Sequence, residues 1–242
     1  MVTPDHSPGQ PAMSYPFEPS FIRPLSSKAA RKPPARSKSS SRGHVIGGGS
    51  PSGAPPRLRY YESKREQDVL YLLLARPDVV DIWDQPPPVF YHDANGRKRS
   101  HTFDFLITLT SGKRIAIAVK PDAIAERQGF REALQRIRAA APLSFANEIV
   151  LITERSYCPS AARNAQKLHD FKRTPDPEAD GSIETLVRCL SGPTTIAELV
   201  EASGLGGRAF RAVFKAIYAG VLRALEPGDI LPTTRIIPEA LQ

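Results

Sequence analysis

The 242-residue sequence predicts a mixed α/β domain, followed by a smaller unit of three helices and a β-ribbon. Three observations carry that class. Ser63-Lys64-Arg65-Glu66 has capping-box spacing and opens a segment of helical period. Two turn signals, Asn95-Gly96 and Ser111-Gly112, separate alternating apolar runs. Ile149-Val150-Leu151-Ile152 is a short continuous apolar run, which suits a central strand buried on both faces.

In chain order, residues 1–59 come first and read as a disordered basic tail. Pro, Ser and Gly make up 28 of these 59 residues, which leaves too little apolar surface to offset chain entropy. Nine basic side chains face only Asp5 and Glu18 there, so most of the formal +8 charge sits in this segment. Residues 60–171 form the α/β domain. Its first helix carries Val69, Leu70, Leu73 and Leu74 and ends near Arg76. A strand follows over 79–83, is interrupted by Gln85-Pro86-Pro87-Pro88 and resumes as an edge strand at Val89-Phe90-Tyr91. Residues 101–109 and 113–120 make a second hairpin. A helix over 123–139 has Phe130, Leu134 and Ile137 on one face, and another helix covers 160–169. Residues 172–181, polar and proline-containing, read as a linker. Residues 182–242 then show three helical patterns and two strands that pair as a wing, which is the pattern of a winged helix.

The side chains suited to chemistry cluster in the α/β domain. Asp104 stands between Phe103 and Phe105 in an apolar strand, a costly place for an unpaired carboxylate. Across the Ser111-Gly112 turn, the same number of steps outward reaches Lys120 or its neighbour, so Asp104 and Lys120 are expected to meet on adjacent strands. Glu66, from the first helix, completes a cluster of two carboxylates and an ammonium. Oxygen ligands of this kind suit Mg²⁺, and an ion so held activates water against a phosphodiester. Glu66 also fits as a helix cap only, and Asp104 with Lys120 as a structural ion pair only.

Two groups of cations are candidate DNA contacts. Lys28, Arg31, Lys32 and Arg36 lie in the tail, where a flexible arm adds salt-sensitive affinity without sequence reading. Arg208, Arg211 and Lys215 fall on one stripe of the third C-terminal helix. A solubilising tail and the solvated face of a protein-docking module explain the same residues.

Ser63-x-x-Glu66, Gln85-Pro86, Thr102-Phe103-Asp104-Phe105-Leu106 and Ala116-Ile117-Ala118-Val119-Lys120-Pro121, in this order, resemble the N-terminal domain of TnsA-type transposon endonucleases. Those enzymes belong to the PD-(D/E)xK, restriction-endonuclease-like nucleases. The resemblance extends to Ile149–Glu154 and so covers residues 60–170. It implies a restriction-endonuclease-like mixed sheet flanked by helices. By the same resemblance, Glu66, Asp104 and Lys120 are catalytic, Glu66 and Asp104 hold Mg²⁺, and DNA, a transposase and an AAA-type ATPase are partners. The C-terminal winged helix is also similar to that family, where this part contacts other transposition proteins. Ala118 departs from the pattern, because it puts a methyl group where the family has an acid or Gln that binds metal. The expected function is therefore a Mg²⁺-dependent DNA endonuclease acting at transposon-like ends, with Mg²⁺ binding weakened at Ala118. The alternative is a catalytically inactive DNA-binding or adaptor protein of a transposition or phage system.

Other classes fit poorly. Two cysteines cannot form a disulfide framework, no apolar run reaches membrane-spanning length, and the first ten residues lack signal-peptide order. A cytoplasmic location is expected. His92, His101 and His169 have no zinc-ligand spacing with Cys158 or Cys189, and no phosphate-binding loop motif is present.

Overall fold

The computed structural model describes residues 23–31, 41–48 and 55–239. Its centre is a four-stranded mixed sheet built from β3 (Val79–Asp84), β6 (Phe105–Leu109), β7 (Arg114–Val119) and β8 (Glu148–Ile152). The strands lie in the order β3-β6-β7-β8. The first two pairings are antiparallel, and β7 with β8 is parallel. Side chains alternate across the sheet as strand geometry requires. Phe105, Ile107, Ile117 and Val119 face α1 (Lys64–Ala75) and α4 (Pro159–Lys172), packing on Val69, Leu70, Leu73 and Ala165. Leu106, Ala116 and Ala118 face the other way, onto Phe130, Leu134 and Ile137. A mixed sheet with helices on both faces is consistent with a restriction-endonuclease-like fold.

Helix α1 starts where the capping box placed it. Ser63 Oγ accepts from Glu66 N at 3.2 Å, and the helix stops ahead of Pro77. The helix expected over 123–139 is instead two, α2 (Asp122–Arg127) and α3 (Phe130–Ala140). Gly129, at φ +56°, takes the left-handed conformation that ends α2, so the chain turns before Phe130 enters the core. β4 (Val89–His92) and β5 (Lys98–His101) form the Asn95-Gly96 hairpin as a separate two-stranded ribbon. It ends ahead of Asp104, so the strand read over 101–109 is split.

The boundary at residue 59 needs correction. β1 (Gly43–Gly47) pairs antiparallel with β2 (Arg57–Tyr61), and Val45 enters the core, 4% exposed. Arg59, 3% exposed, donates to the carbonyls of Gly47 and Ile82. Further upstream, Leu25 bridges to Arg57, Ser27 Oγ donates to Asp84 Oδ2 at 2.7 Å, and Ala30 N donates to Gln85 O at 2.9 Å. Backbone pairing and a few specific anchors tie these segments down, and average composition does not register such features.

The linker over 172–181 is also corrected. α4 runs to Lys172, and α5 (Pro177–Arg188) opens at an Asp176 cap with proline at its first position. Only residues 173–176 connect them. β9 (Thr194–Thr195), α6 (Ile196–Ser203), α7 (Gly207–Tyr218), β10 (Leu222–Ala224) and β11 (Arg235–Pro238) follow, with the strands ordered β10-β11-β9. This unit has its own core around Ile183, Leu199, Val213, Phe214 and Ile236, and it takes in Leu168 of α4. The Phe171 and Phe214 rings meet edge to face at 5.2 Å. Arg163 pairs with Asp229 at 2.7 Å, and Asn164 exchanges hydrogen bonds with Gly228 O and Ile230 N. The two units are docked through α4.

Candidate active site

Asp104 lies one residue ahead of β6, where the strand has just begun to pair. Its N–H donates to Ile117 O at 3.0 Å, and its carbonyl accepts from Gln85 N at 2.9 Å. The flanking rings go to opposite sides of the sheet, Phe103 with the α3 cluster and Phe105 with the α1 cluster, which leaves the carboxylate at the sheet end. Asp104 Oδ2 accepts from Val119 N at 2.6 Å. Withdrawal from water, then the nearby charge of Glu66, pushes the Asp104 carboxyl up to about 7.

Glu66 is brought in by the first turn of α1. Its Oε2 accepts from Glu62 N at 2.6 Å and its Oε1 from Ser63 Oγ at 2.9 Å. Glu66 is thus both helix cap and member of the acidic group. Burial raises its carboxyl, and the Glu62 charge raises it further, against the lowering effect of these hydrogen bonds. Lys120 directly follows β7, with its N–H on Ile152 O at 3.1 Å and its ammonium 4.7 Å from the Phe130 ring centre. No ion pair joins Lys120 to Asp104 among the described residues, so the two are neighbours in charge and not a closed structural pair. His101 packs edge-on against Phe103 at 4.7 Å, and burial, then the Lys120 charge, holds its imidazole down at about 4.

Sequence reasoning passed over two members of this neighbourhood. Glu62 Oε1 accepts from Gln85 Nε2 at 2.7 Å, and Glu62 pairs with Arg31 at 3.1 Å. Gln85 is 2% exposed, stands at φ +46°, and its Oε1 has no hydrogen-bond partner. The Gln-Pro sequence signals an interruption of the strand, but nothing in it signals a positive φ.

The expected metal ligands fit a hard cation in type, since all donors are oxygens. Among the described residues, however, no three His, Cys, Asp or Glu side chains come close enough to hold an ion by themselves. Ala118 is fully buried among apolar neighbours and offers no donor.

The proposed DNA contacts fare differently. Lys28 pairs with Asp81 at 2.8 Å and Arg31 with Glu62, so both anchor their segment to the domain. Lys32 and Arg36 lie outside the described residues. On α7, Arg208 pairs with Asp176 at 2.7 Å and Glu178 at 2.6 Å, Arg211 lies 3.9 Å from Asp176, and Lys215 pairs with Asp180 at 2.6 Å. The stripe is real, but an acidic stripe at the start of α5 neutralises it. Helical spacing in one segment cannot reveal which segment packs opposite.

On this mixed sheet an aspartate just ahead of β6 feels the charges of a glutamate in α1 and of a lysine just past β7. Residues 76–154 match the family described as TnsA-like endonuclease N terminal, so this part of the chain is similar to a TnsA-type endonuclease N-terminal domain. The match includes Gln85, Asp104, Ala118 and Lys120, and Glu66 lies ahead of it. No curated protein matches the chain at a significant level. No helix among the described residues is long and apolar enough to cross a membrane.

Proposed function

We propose that the protein is a divalent-metal-dependent DNA endonuclease that hydrolyses phosphodiester bonds at transposon-like DNA ends. The reading is carried by the charges of Glu66 and Lys120 acting on Asp104, with Asp104 and Lys120 inside the region that matches the TnsA-like family. Mg²⁺, when bound by Glu66 and Asp104, supplies positive charge to the scissile phosphate and lowers the pKa of a water. The chain's own groups do the rest. Val119 N–H fixes one oxygen of Asp104 and leaves the other free to orient. Lys120, steadied over Phe130, presents donors to the attacking water and to the phosphate oxygens. His101 stays neutral beside it, so it adds no competing charge. Water adds across one P–O bond, leaving a phosphate on one fragment and a hydroxyl on the other.

The C-terminal unit, three helices with a three-stranded sheet in the order α5-β9-α6-α7-β10-β11, is read as a winged helix. With the basic stripe of α7 neutralised, its role is docking to a transposition partner, such as a transposase or an AAA-type ATPase. Lys32 and Arg36 remain the candidate arm on DNA. The chain acts in the cytoplasm.

A second reading is favoured by one observation, the buried methyl of Ala118 where a ligand is expected. In that reading the protein is a non-cleaving adaptor. Supercoiled plasmid incubated with Mg²⁺ or Mn²⁺ separates the two. The endonuclease reading expects nicking that Asp104→Asn abolishes. Equal DNA binding by both proteins with no nicking by either, even with a neighbouring transposase present, would establish the adaptor.

A further inference from the structure

We propose that Gln85 supplies the third protein oxygen of the metal-holding site, its side-chain carbonyl serving where Ala118 provides no ligand. This rests on the endonuclease reading above.

Three observations meet at this residue. Gln85 is 2% exposed, yet its Oε1 lacks any hydrogen-bond partner. Buried polar atoms are almost always satisfied, so an orphan calls for a role. Gln85 is also the single non-glycine position with positive φ among the described residues, at +46°. Such strain persists where surrounding structure enforces it, typically at ligand clamps. Finally, three hydrogen bonds do enforce it. The Gln85 N–H holds Asp104 O at 2.9 Å, its carbonyl takes Ala30 N at 2.9 Å, and Nε2 holds Glu62 Oε1 at 2.7 Å.

The last contact fixes the orientation of the amide. A carboxylate only accepts, so the nitrogen must face Glu62 and the oxygen must face away from it. Both atoms sit on one carbon, so Oε1 lies beside Glu62, whose charge reaches Asp104, and on a residue whose N–H is bonded to Asp104 O. No third carboxylate is close enough to complete a ligand set, and position 118 holds only a methyl group. An amide oxygen is a competent hard ligand for Mg²⁺ or Mn²⁺. Being neutral, it adds a donor without adding charge to carboxylates that already repel one another.

The test is calorimetric titration of Mn²⁺ alone into the full chain, comparing wild type with Gln85→Met, Gln85→Glu and Asp104→Asn. Thermal melts in chelator check each fold. Gln85→Met should weaken Mn²⁺ binding by about tenfold or more. Gln85→Glu loses the Nε2 bond to Glu62 but keeps an oxygen donor, and should bind Mn²⁺ more tightly than Gln85→Met. If Gln85→Met proves unfolded, Gln85→Ala is titrated in its place, and wild-type affinity there overturns the proposal. Wild-type affinity in folded Gln85→Met, with binding lost in Asp104→Asn, refutes Gln85 and leaves the site standing. Binding that ignores Asp104→Asn, or no binding by wild type, refutes the site reading and this inference with it.

Discussion

Asp104 owes its properties to two phenylalanines that point opposite ways and leave a carboxylate at the end of an apolar strand. Its carboxyl is raised to about 7, so the folded chain binds that proton more tightly than the unfolded chain does. The stability this gives is present at low pH and is lost as pH rises from about 4 through about 7. His101 has the opposite sign. Its imidazole is held down at about 4, so its contribution is present above about 6.5 and is lost as pH falls toward 4. The two slopes oppose each other in metal-free wild type, and single variants separate them. The melting temperature of Asp104→Asn should gain on wild type as pH rises from 4 to 7. That of His101→Gln should fall behind wild type from 4 to 6.5. Thermal melts in chelator across that range measure both. Ala118 is equally specific, since its methyl is wholly buried beside Phe130 and Leu134. Ala118→Glu should cost the metal-free fold roughly 3 kcal/mol, because it buries a carboxylate among apolar groups. Mn²⁺ should restore more stability to this variant than to wild type, and denaturant titrations with and without the ion would show it. At this scale the sequence singled out Asp104, because a charge in an apolar strand is visible as a violation of pattern, and offered Lys120 and Glu66 as its candidate neighbours. Gln85 and Glu62 were hidden, because positive φ and an orphaned amide oxygen exist only once the chain is folded.

Among the elements, turns and caps were the most legible, since each depends on a few adjacent residues. Ser63 caps α1, and Asn95-Gly96 closes the β4-β5 hairpin. Gly129 was missed inside an otherwise good helical pattern, although its conformation divides α2 from α3. β1 was missed for a different reason. His44-Val45-Ile46 is a three-residue signal in a stretch dominated by Pro, Ser and Gly, and its stability comes from pairing with β2, further along the chain. Removing residues 1–54 should therefore destabilise the protein by at least about 2 kcal/mol, because buried Arg59 loses the Gly47 carbonyl. A truncation with an unchanged unfolding midpoint would show that β1 contributes nothing.

The whole molecule is an α/β domain and a helical unit that share α4, with Leu168 and Phe171 reaching into the second core. That union was illegible, because Pro175 and Pro177 look like linker residues until Asp176 is seen to cap a helix. It also changes what the cations of α7 do. Hydrogen bonds from Arg208 hold the Asp176 carboxyl well below the usual range, so the pair fastens α7 to the start of α5. Arg208→Ala should lower the melting temperature while leaving DNA affinity unchanged in a salt titration. A flattened salt dependence would instead return α7 to the DNA surface. In the α/β domain, Lys120 stands beside Asp104 without pairing to it. The most direct measurement is the nicking rate of supercoiled plasmid in Mn²⁺ by wild type and Lys120→Met, at equal Mn²⁺ occupancy. A working site predicts open circles from wild type and a loss of about a hundredfold or more in the variant, whereas equal rates from the two proteins would contradict it.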